Sequence, residues 1–184
     1  MDKYQNKYRI PTNRLQGYDY GANGCYYVTI CTKNRNHYFG EIGHVETDNY
    51  PSLRKTDNYP SLRKTEIAEI AEKYWLEIPN HFPFVILDEY VIMPNHIHGI
   101  LIFNKPDVSQ QFNKFGSQSQ NLGSVIRGFK SSLKRYANEK NIDFAWQDRF
   151  YDRIIRNQDG LDNIRAYIFN NPANWENDEY RQNG

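Results

Sequence analysis

Cysteine, long apolar runs and net charge of one sign are all scarce in this 184-residue chain, and each scarcity removes a class of protein. The two cysteines, Cys25 and Cys31, fall on one extended-looking segment, where six residues span ~20 Å, too far for a disulfide. A disulfide scaffold is therefore excluded, and a reduced, cytoplasmic setting is expected. The first twenty residues, MDKYQNKYRIPTNRLQGYDY, make a polar arm without the apolar core of roughly 7 to 15 residues that a secretory signal needs. No later run approaches the ~20 apolar residues that cross a bilayer, so no membrane partner is expected. The formal charge of +1 gives no global attraction to a polyanion, which leaves local clustering as the only electrostatic route to nucleic acid. Such a cluster exists over residues 123–156, where eight basic residues stand against four acidic ones. Charge alone fits a solvated helix face equally well.

The chain does contain the material of a folded domain: 39% hydrophobic and 15% aromatic residues, enough for one α+β domain over residues 1–184. Tyr26 to Thr32 (YYVTICT) follows the turn signal Gly21-Ala22-Asn23-Gly24 and reads as a strand. The nine residues TDNYPSLRK occur twice without change, at 47–55 and 56–64. Two short copies are too few for a solenoid, so residues 47–64 read as a duplicated surface-loop insertion. Glu66 to Ile78 places Ile67, Ile70, Ala71, Tyr74 and Trp75 on a helical stripe that Pro79 and Pro83 should end. Val85 to Met93 and His96 to Phe103 read as an antiparallel pair joined at Pro94-Asn95. Residues 104–121, rich in Gln, Ser and Asn, read as a mobile loop. A helix follows over Leu122 to Glu139, with Val125, Ile126, Phe129, Leu133 and Tyr136 at helical spacing. After a short strand at Phe150 to Ile155, a last helix starts near Asn157 or Asp159, carries Leu161, Ile164 and Ile168, and stops before Pro172. Residues 173–184 read as a polar tail.

His96-Ile97-His98 is the pattern with the most chemistry in it. On a strand, residues i and i+2 share a face about 6 to 7 Å apart, so two imidazoles can converge on one ion. His96, His98, Ile100 and Ile102 share one face, Ile97, Leu101 and Phe103 the other. Both faces thus need cover, and another element is expected over the histidines. In the last helix Tyr167 and Asn171 are neighbours at i and i+4, bordering its apolar stripe. If that helix is the cover, His96, His98 and Asn171 supply three ligands and Tyr167 faces a substrate phosphorus. On spacing alone, two satisfied structural histidines, a core tyrosine and a helix-capping asparagine account for the same residues.

Six blocks resemble the single-tyrosine His-hydrophobic-His transposases, above all the branch associated with repetitive extragenic palindromes. They are RLQGYDY (14–20), CYYVTICT (25–32), VIMPNHIHGIL (91–101), GSVIRGFKS (123–131), WQDRFYDRIIR (146–156) and IRAYIFNNPANW (164–175), in the family's order. They cover most of the chain outside the duplication, the Gln/Ser loop and the tail. The resemblance implies a ferredoxin-like or RRM-like antiparallel sheet with helices and the nucleophile on a C-terminal helix. It carries the metal ligands onto His96 and His98 and the nucleophile onto Tyr167. Insertion-sequence members usually have Gln four residues after the tyrosine; here Asn171 stands, as in the palindrome-associated branch, and its shorter amide must come closer to serve as third ligand. The implied activity is metal-dependent cleavage and rejoining of single-stranded hairpin DNA through a 5′-phosphotyrosine link. The expected cofactor is a divalent cation, Mg²⁺ or Mn²⁺, since nitrogen ligands favour the latter and a phosphate-completed shell admits the former.

The implied partner is single-stranded palindromic DNA, bound by a monomer or a homodimer. Arg14, Lys130, Lys134, Arg149, Arg153 and Arg156 are the candidates for phosphate contacts, and Trp146, Phe150 or Tyr151 for base stacking. As the alternative class, a non-catalytic nucleic-acid module on an RRM-like sheet lacks its usual aromatic pattern, because histidines hold the central-strand positions. A structural zinc protein lacks a fourth ligand and a cysteine pair.

Overall fold

The structure, a computed structural model, describes residues 15–44, 60–106 and 120–181, together with the paired backbones of β1 (Lys3–Tyr4) and β2 (Lys7–Tyr8). Six elements build the core in βαββαβ order. They are β3 (Gly24–Cys31), α1 (Glu66–Leu76), β6 (Val85–Met93), β7 (His96–Phe103), α3 (Leu122–Glu139) and β8 (Tyr151–Ile155). The four strands pair in the order β6-β7-β3-β8, every neighbour antiparallel. This is the ferredoxin-like arrangement, and it puts the histidine strand inside the sheet with a partner on each side.

Alternation along the strands then sorts side chains between two cores. Tyr26, Val28 and Ile30 of β3 and Ile97, Leu101 and Phe103 of β7 face α1 and α3. There they meet Ile67, Ala71 and Trp75 of α1 and Val125, Ile126, Phe129 and Leu133 of α3. Each fully buried aliphatic or aromatic side chain of this kind contributes roughly 1.5–3 kcal/mol. Both helices start on side-chain caps: Thr65 accepts from the Ala68 amide, while Asn121 and Ser124 satisfy one another's backbone in a capping box. The other face carries the smaller cluster of Tyr27, Ile100, Ile164 and Ile168, of which the last two belong to α4 (Gln158–Asn170). Asn157 caps α4 by accepting from the Gly160 amide at 2.9 Å.

A register shift in β6 between Leu87 and Tyr90 opens a bulge around Asp88. Arg165 of α4 grips the Asp88 carboxylate through both Nε and Nη2, at 2.8 and 2.6 Å. This guanidinium holds the Asp88 carboxyl below its ordinary range. Apolar packing and one bidentate ion pair thus lay α4 across the face that bears the histidines.

Three sequence expectations change. The second copy of the nine-residue duplication is not all loop: Pro60–Lys64 forms β5, paired antiparallel with β4 (Gly40–His44). Its proline stands at the first strand position, where no ladder donor is required, and Leu62 packs on the main core. Residues 47–59 lie outside the described residues, as do 107–119 of the expected Gln/Ser loop. Pro79 does not end α1, which stops at Leu76; it sits in the first turn of α2 (Ile78–His81), the helical position that tolerates a missing N–H. The described part of the supposed polar tail, through Arg181, packs on the domain. Pro172–Asn177 forms a 3-10 helix whose Trp175 is 6% exposed, packed on His37, because one large aromatic side chain is enough to dock a polar segment.

Gly99, paired between Val28 and Tyr90, lets β7 accept this packing. A Cβ there would sit 2.3 Å from Cζ2 of the fully buried Trp75. Gly99→Ala is therefore expected to lower stability by about 1–3 kcal/mol in urea denaturation, as overpacking does; an unchanged midpoint would contradict the close approach.

Candidate metal and nucleophile site

His96 and His98 project from β7 onto the α4 face, both fully buried, with ring centroids 4.4 Å apart. His98 Nδ1 lies 2.7 Å from Tyr27 Oη and 2.9 Å from Thr29 Oγ1. His96 Nδ1 lies 2.8 Å from Asn95 Oδ1. Tyr167, on the last turn of α4, brings its Oη to 3.4 Å from His98 Nε2, and the residue remains 43% exposed. One turn later Asn171, the C-cap of α4, is 2% exposed and lines one cavity with Tyr167 and Asp178. The structure thus brings together the four residues singled out in the sequence.

A fifth residue was missed. Ligand atoms of His96, His98 and Asp178 all lie within 4.8 Å of one another. Asp178 belongs to the segment read as a tail, and what marks it is its company: Trp175 and Tyr180 are aromatic anchors in an otherwise polar stretch. The Tyr180 ring lies tilted 4.8 Å from that of His96 and edge-on 5.6 Å from that of His98, and the Arg35 guanidinium carbon lies 4.3 Å from the Tyr180 ring centroid. The Asp178 side chain accepts from the Tyr180 amide at 2.6 Å.

Electrostatics favour neutral histidines. Burial pushes the His96 imidazole well below its ordinary pKa, helped by His98 and by the Arg35 charge. Burial also brings His98 down to about 3, again with Arg35 contributing. Burial raises the Asp178 carboxyl, and burial together with the Asp178 charge raises the Tyr167 phenol. Without added positive charge Tyr167 stays protonated at neutral pH.

Two atoms decide whether this pocket suits a metal. His96 Nε2 and Asn171 Oδ1 are buried and have no hydrogen-bond partner among the described residues. A buried polar atom left unpaired costs about 1–3 kcal/mol, so two in one small space are a liability unless something else fills it. Two imidazole nitrogens, an amide oxygen and a carboxylate make a donor set suited to a divalent ion such as Mn²⁺ or Mg²⁺. The residues present fit the cation.

The basic candidates are distributed over two faces. Arg153 pairs with Tyr27, and Tyr151 with Thr29, so both share the histidine face on the outer strand β8, and both are exposed. Arg156 follows that strand, also exposed. Lys130 and Lys134 lie on α3 beyond the opposite face. Lys130 Nζ donates to the carbonyls of Gln147 and Arg149 at 2.6 and 3.0 Å, and Lys134 Nζ to that of Phe144 at 2.6 Å. Arg149 is exposed on the same segment with a φ of 65°. Arg14 lies outside the described residues. Trp146 packs among Phe39, Phe129 and Phe144 and donates from Nε1 to the Lys130 carbonyl, and Phe150 is half-buried against the main core.

No family model matches the chain. An uncharacterized protein of Haemophilus influenzae is 32% identical over 176 residues, spanning 90% of this chain and 89% of its own length. The chain belongs to the same family as that protein. Among solved structures, the REP-associated tyrosine transposase bound to a REP hairpin superposes with a TM-score of 0.58 at 17% identity, covering 90% of this chain and 74% of the transposase. The fold is that of this transposase, as the sequence resemblance implies, and the His96-Ile97-His98 pair fits a His-hydrophobic-His motif. Among the described residues no helix is long and apolar enough to cross a membrane.

Keeping the imidazoles neutral makes stability depend on pH. From about pH 6.5, where an unfolded-state histidine titrates, down to the folded pKa of about 3 for His98, the unfolded chain binds a proton that the folded chain refuses. Stability is therefore full above that window and falls as pH drops through it, by about 1.4 kcal/mol per pH unit for each such histidine. His96, shifted in the same direction, adds to the loss. Urea titrations at pH 7.5 and 5.0 in the presence of a chelator measure the difference; equal stabilities would refute a neutral buried pair.

Proposed function

We propose that the protein is a metal-dependent single-stranded DNA endonuclease and strand transferase, a transposase of the single-tyrosine His-hydrophobic-His type that acts on hairpin DNA. The observation that carries this reading is the placement of Tyr167 Oη 3.4 Å from His98 Nε2, at the mouth of a pocket that holds two unpaired buried ligand atoms. It is supported by the fold shared with a transposase whose bound ligand is a REP hairpin.

In this reading His96, His98 and Asn171 would hold the cation, with Asp178 as a further ligand. A divalent ion bound there would supply positive charge to the scissile phosphate. Tyr167 attacks the phosphorus: its Oη–P bond forms as the P–O3′ bond breaks, the phenol releases its proton to water, and the departing 3′ oxygen takes one up. The products are a 5′-phosphotyrosine and a free 3′-hydroxyl, which conserve the bond energy for rejoining. Half-exposure of the Tyr167 ring lets a strand reach it from solvent. Arg153 and Tyr151, on the same sheet face, would steady the phosphate backbone and a base beside the nucleophile. Lys130, Lys134 and Arg149 would meet DNA only on the α3 side, as a second contact area, and Arg14 from the amino-terminal arm.

Incubation with Mn²⁺ and a labelled palindromic single strand is expected to yield a covalent adduct resistant to denaturing electrophoresis. Tyr167→Phe should abolish it, and chelator should reduce it at least 100-fold, a loss of about 2.7 kcal/mol in transition-state stabilisation. An adduct of wild-type yield from Tyr167→Phe would sink the assignment of the nucleophile. Arg153→Ala should weaken binding to the same strand and flatten its salt dependence by about one phosphate contact, without removing the adduct at saturating DNA.

A further inference from the structure

The residue before the histidine pair has no part in the reading above, yet every polar atom of its side chain is committed. Asn95 is fully buried in the two-residue turn between β6 and β7. The turn itself is fastened from outside: Thr32 donates to the Asn95 carbonyl from both its amide and its hydroxyl, at 2.9 and 3.0 Å, and the Phe39 amide donates to Pro94 at 3.0 Å. The Asn95 Nδ2 donates to the carbonyl of Arg35 at 3.1 Å and to that of Tyr180 at 2.9 Å. A carbonyl oxygen can only accept, so these two contacts decide which end of the amide is nitrogen. Turning the amide over would set Oδ1 against two carbonyls and forfeit both bonds.

The orientation has a chemical consequence one residue away. With its nitrogen so engaged, Asn95 presents Oδ1 to His96 Nδ1 at 2.8 Å, and an amide oxygen can only accept. Nδ1 must therefore carry the proton. A neutral imidazole with its proton on Nδ1 has its lone pair on Nε2, the buried nitrogen without a partner. His98 differs, because its Nδ1 meets two hydroxyls, groups that can donate or accept, so its surroundings leave the tautomer free.

We infer that Asn95 is a positioning residue: held by the carbonyls of Arg35 and Tyr180, it locks His96 in the Nδ1–H tautomer and so presents the Nε2 lone pair to a divalent cation. The inference rests on reading His96 as a metal ligand only in its last clause. The same amide ties together three walls of the pocket: the β6–β7 turn, the Asn34-Arg35 step, where φ is 54° and 55°, and the segment of Asp178 and Tyr180.

The test uses the full chain. In metal-free protein at neutral pH, long-range ¹H–¹⁵N correlation spectra of the imidazoles should show His96 as a single Nδ1–H tautomer. Mn²⁺ titration should then give an affinity that Asn95→Leu weakens about 10- to 100-fold, as loss of an outer hydrogen bond to a ligating histidine does. Asn95→Asp keeps the acceptor but surrenders the two donors; it should share the stability loss of Asn95→Leu yet bind Mn²⁺ within about threefold of wild type. A merely structural asparagine would lower affinity equally in both variants. An Nε2–H tautomer at His96, wild-type affinity in Asn95→Leu, or equal losses in the two variants would overturn the inference. If Asn95→Leu does not fold, the wild-type spectrum and Asn95→Asp still decide it. If the wild type takes up no Mn²⁺, the metal reading falls and the tautomer is judged by the spectrum alone.

Discussion

Two neutral imidazoles buried side by side set the terms for this half of the molecule. Four ring nitrogens leave water, and each needs an answer. Tyr27 and Thr29 answer His98 Nδ1, Asn95 answers His96 Nδ1, and Tyr167 approaches His98 Nε2. Among the described residues none answers His96 Nε2. The outlay on this face is thus large, and the unanswered nitrogen points into the same space as the unpaired Asn171 oxygen.

That demand explains the division of the sheet. The face toward α1 and α3 is packed for stability, with Trp75 leaving no room for a side chain at Gly99. The opposite face carries only a small apolar cluster, sufficient to seat α4 and little more. Arg165 compensates for the thin packing by fixing α4 to the bulged β6 through Asp88, which sets the height of Tyr167 over the histidines. Stability and chemistry are thereby kept on different faces of one sheet, with the strand alternation of β7 separating them. Functional sites commonly depart from good packing in this way, provided the rest of the fold carries the cost.

Much of this was legible in the chain because it rests on local periodicity. The strands 85–93 and 96–103 and the helix 122–139 were read at the bounds the structure shows, since alternation and 3.6-residue spacing are strong there. The cover over the histidine face followed from the same pattern, as both sides of β7 are apolar or paired. Elements held mainly by tertiary contact were misread. The sequence of β5 resembles a loop until β4 supplies its partner, and residues 173–184 look like a tail until Trp175 and Tyr180 find the pocket.

The sequence by itself determined that His96 and His98 share a face, that Tyr167 and Asn171 share another, and that a mixed antiparallel core would bury both. Those are consequences of two helical and strand periods, which act over a few residues. Only the tertiary structure decided that Asp178 joins the histidines, that Lys130 and Lys134 turn toward backbone carbonyls while Arg153 stays on the site face, and which nitrogen of His96 holds its proton. Each of these depends on which donor meets which acceptor across residues distant in the chain. No local period encodes such a meeting; the packing of α4 and the segment after it creates it.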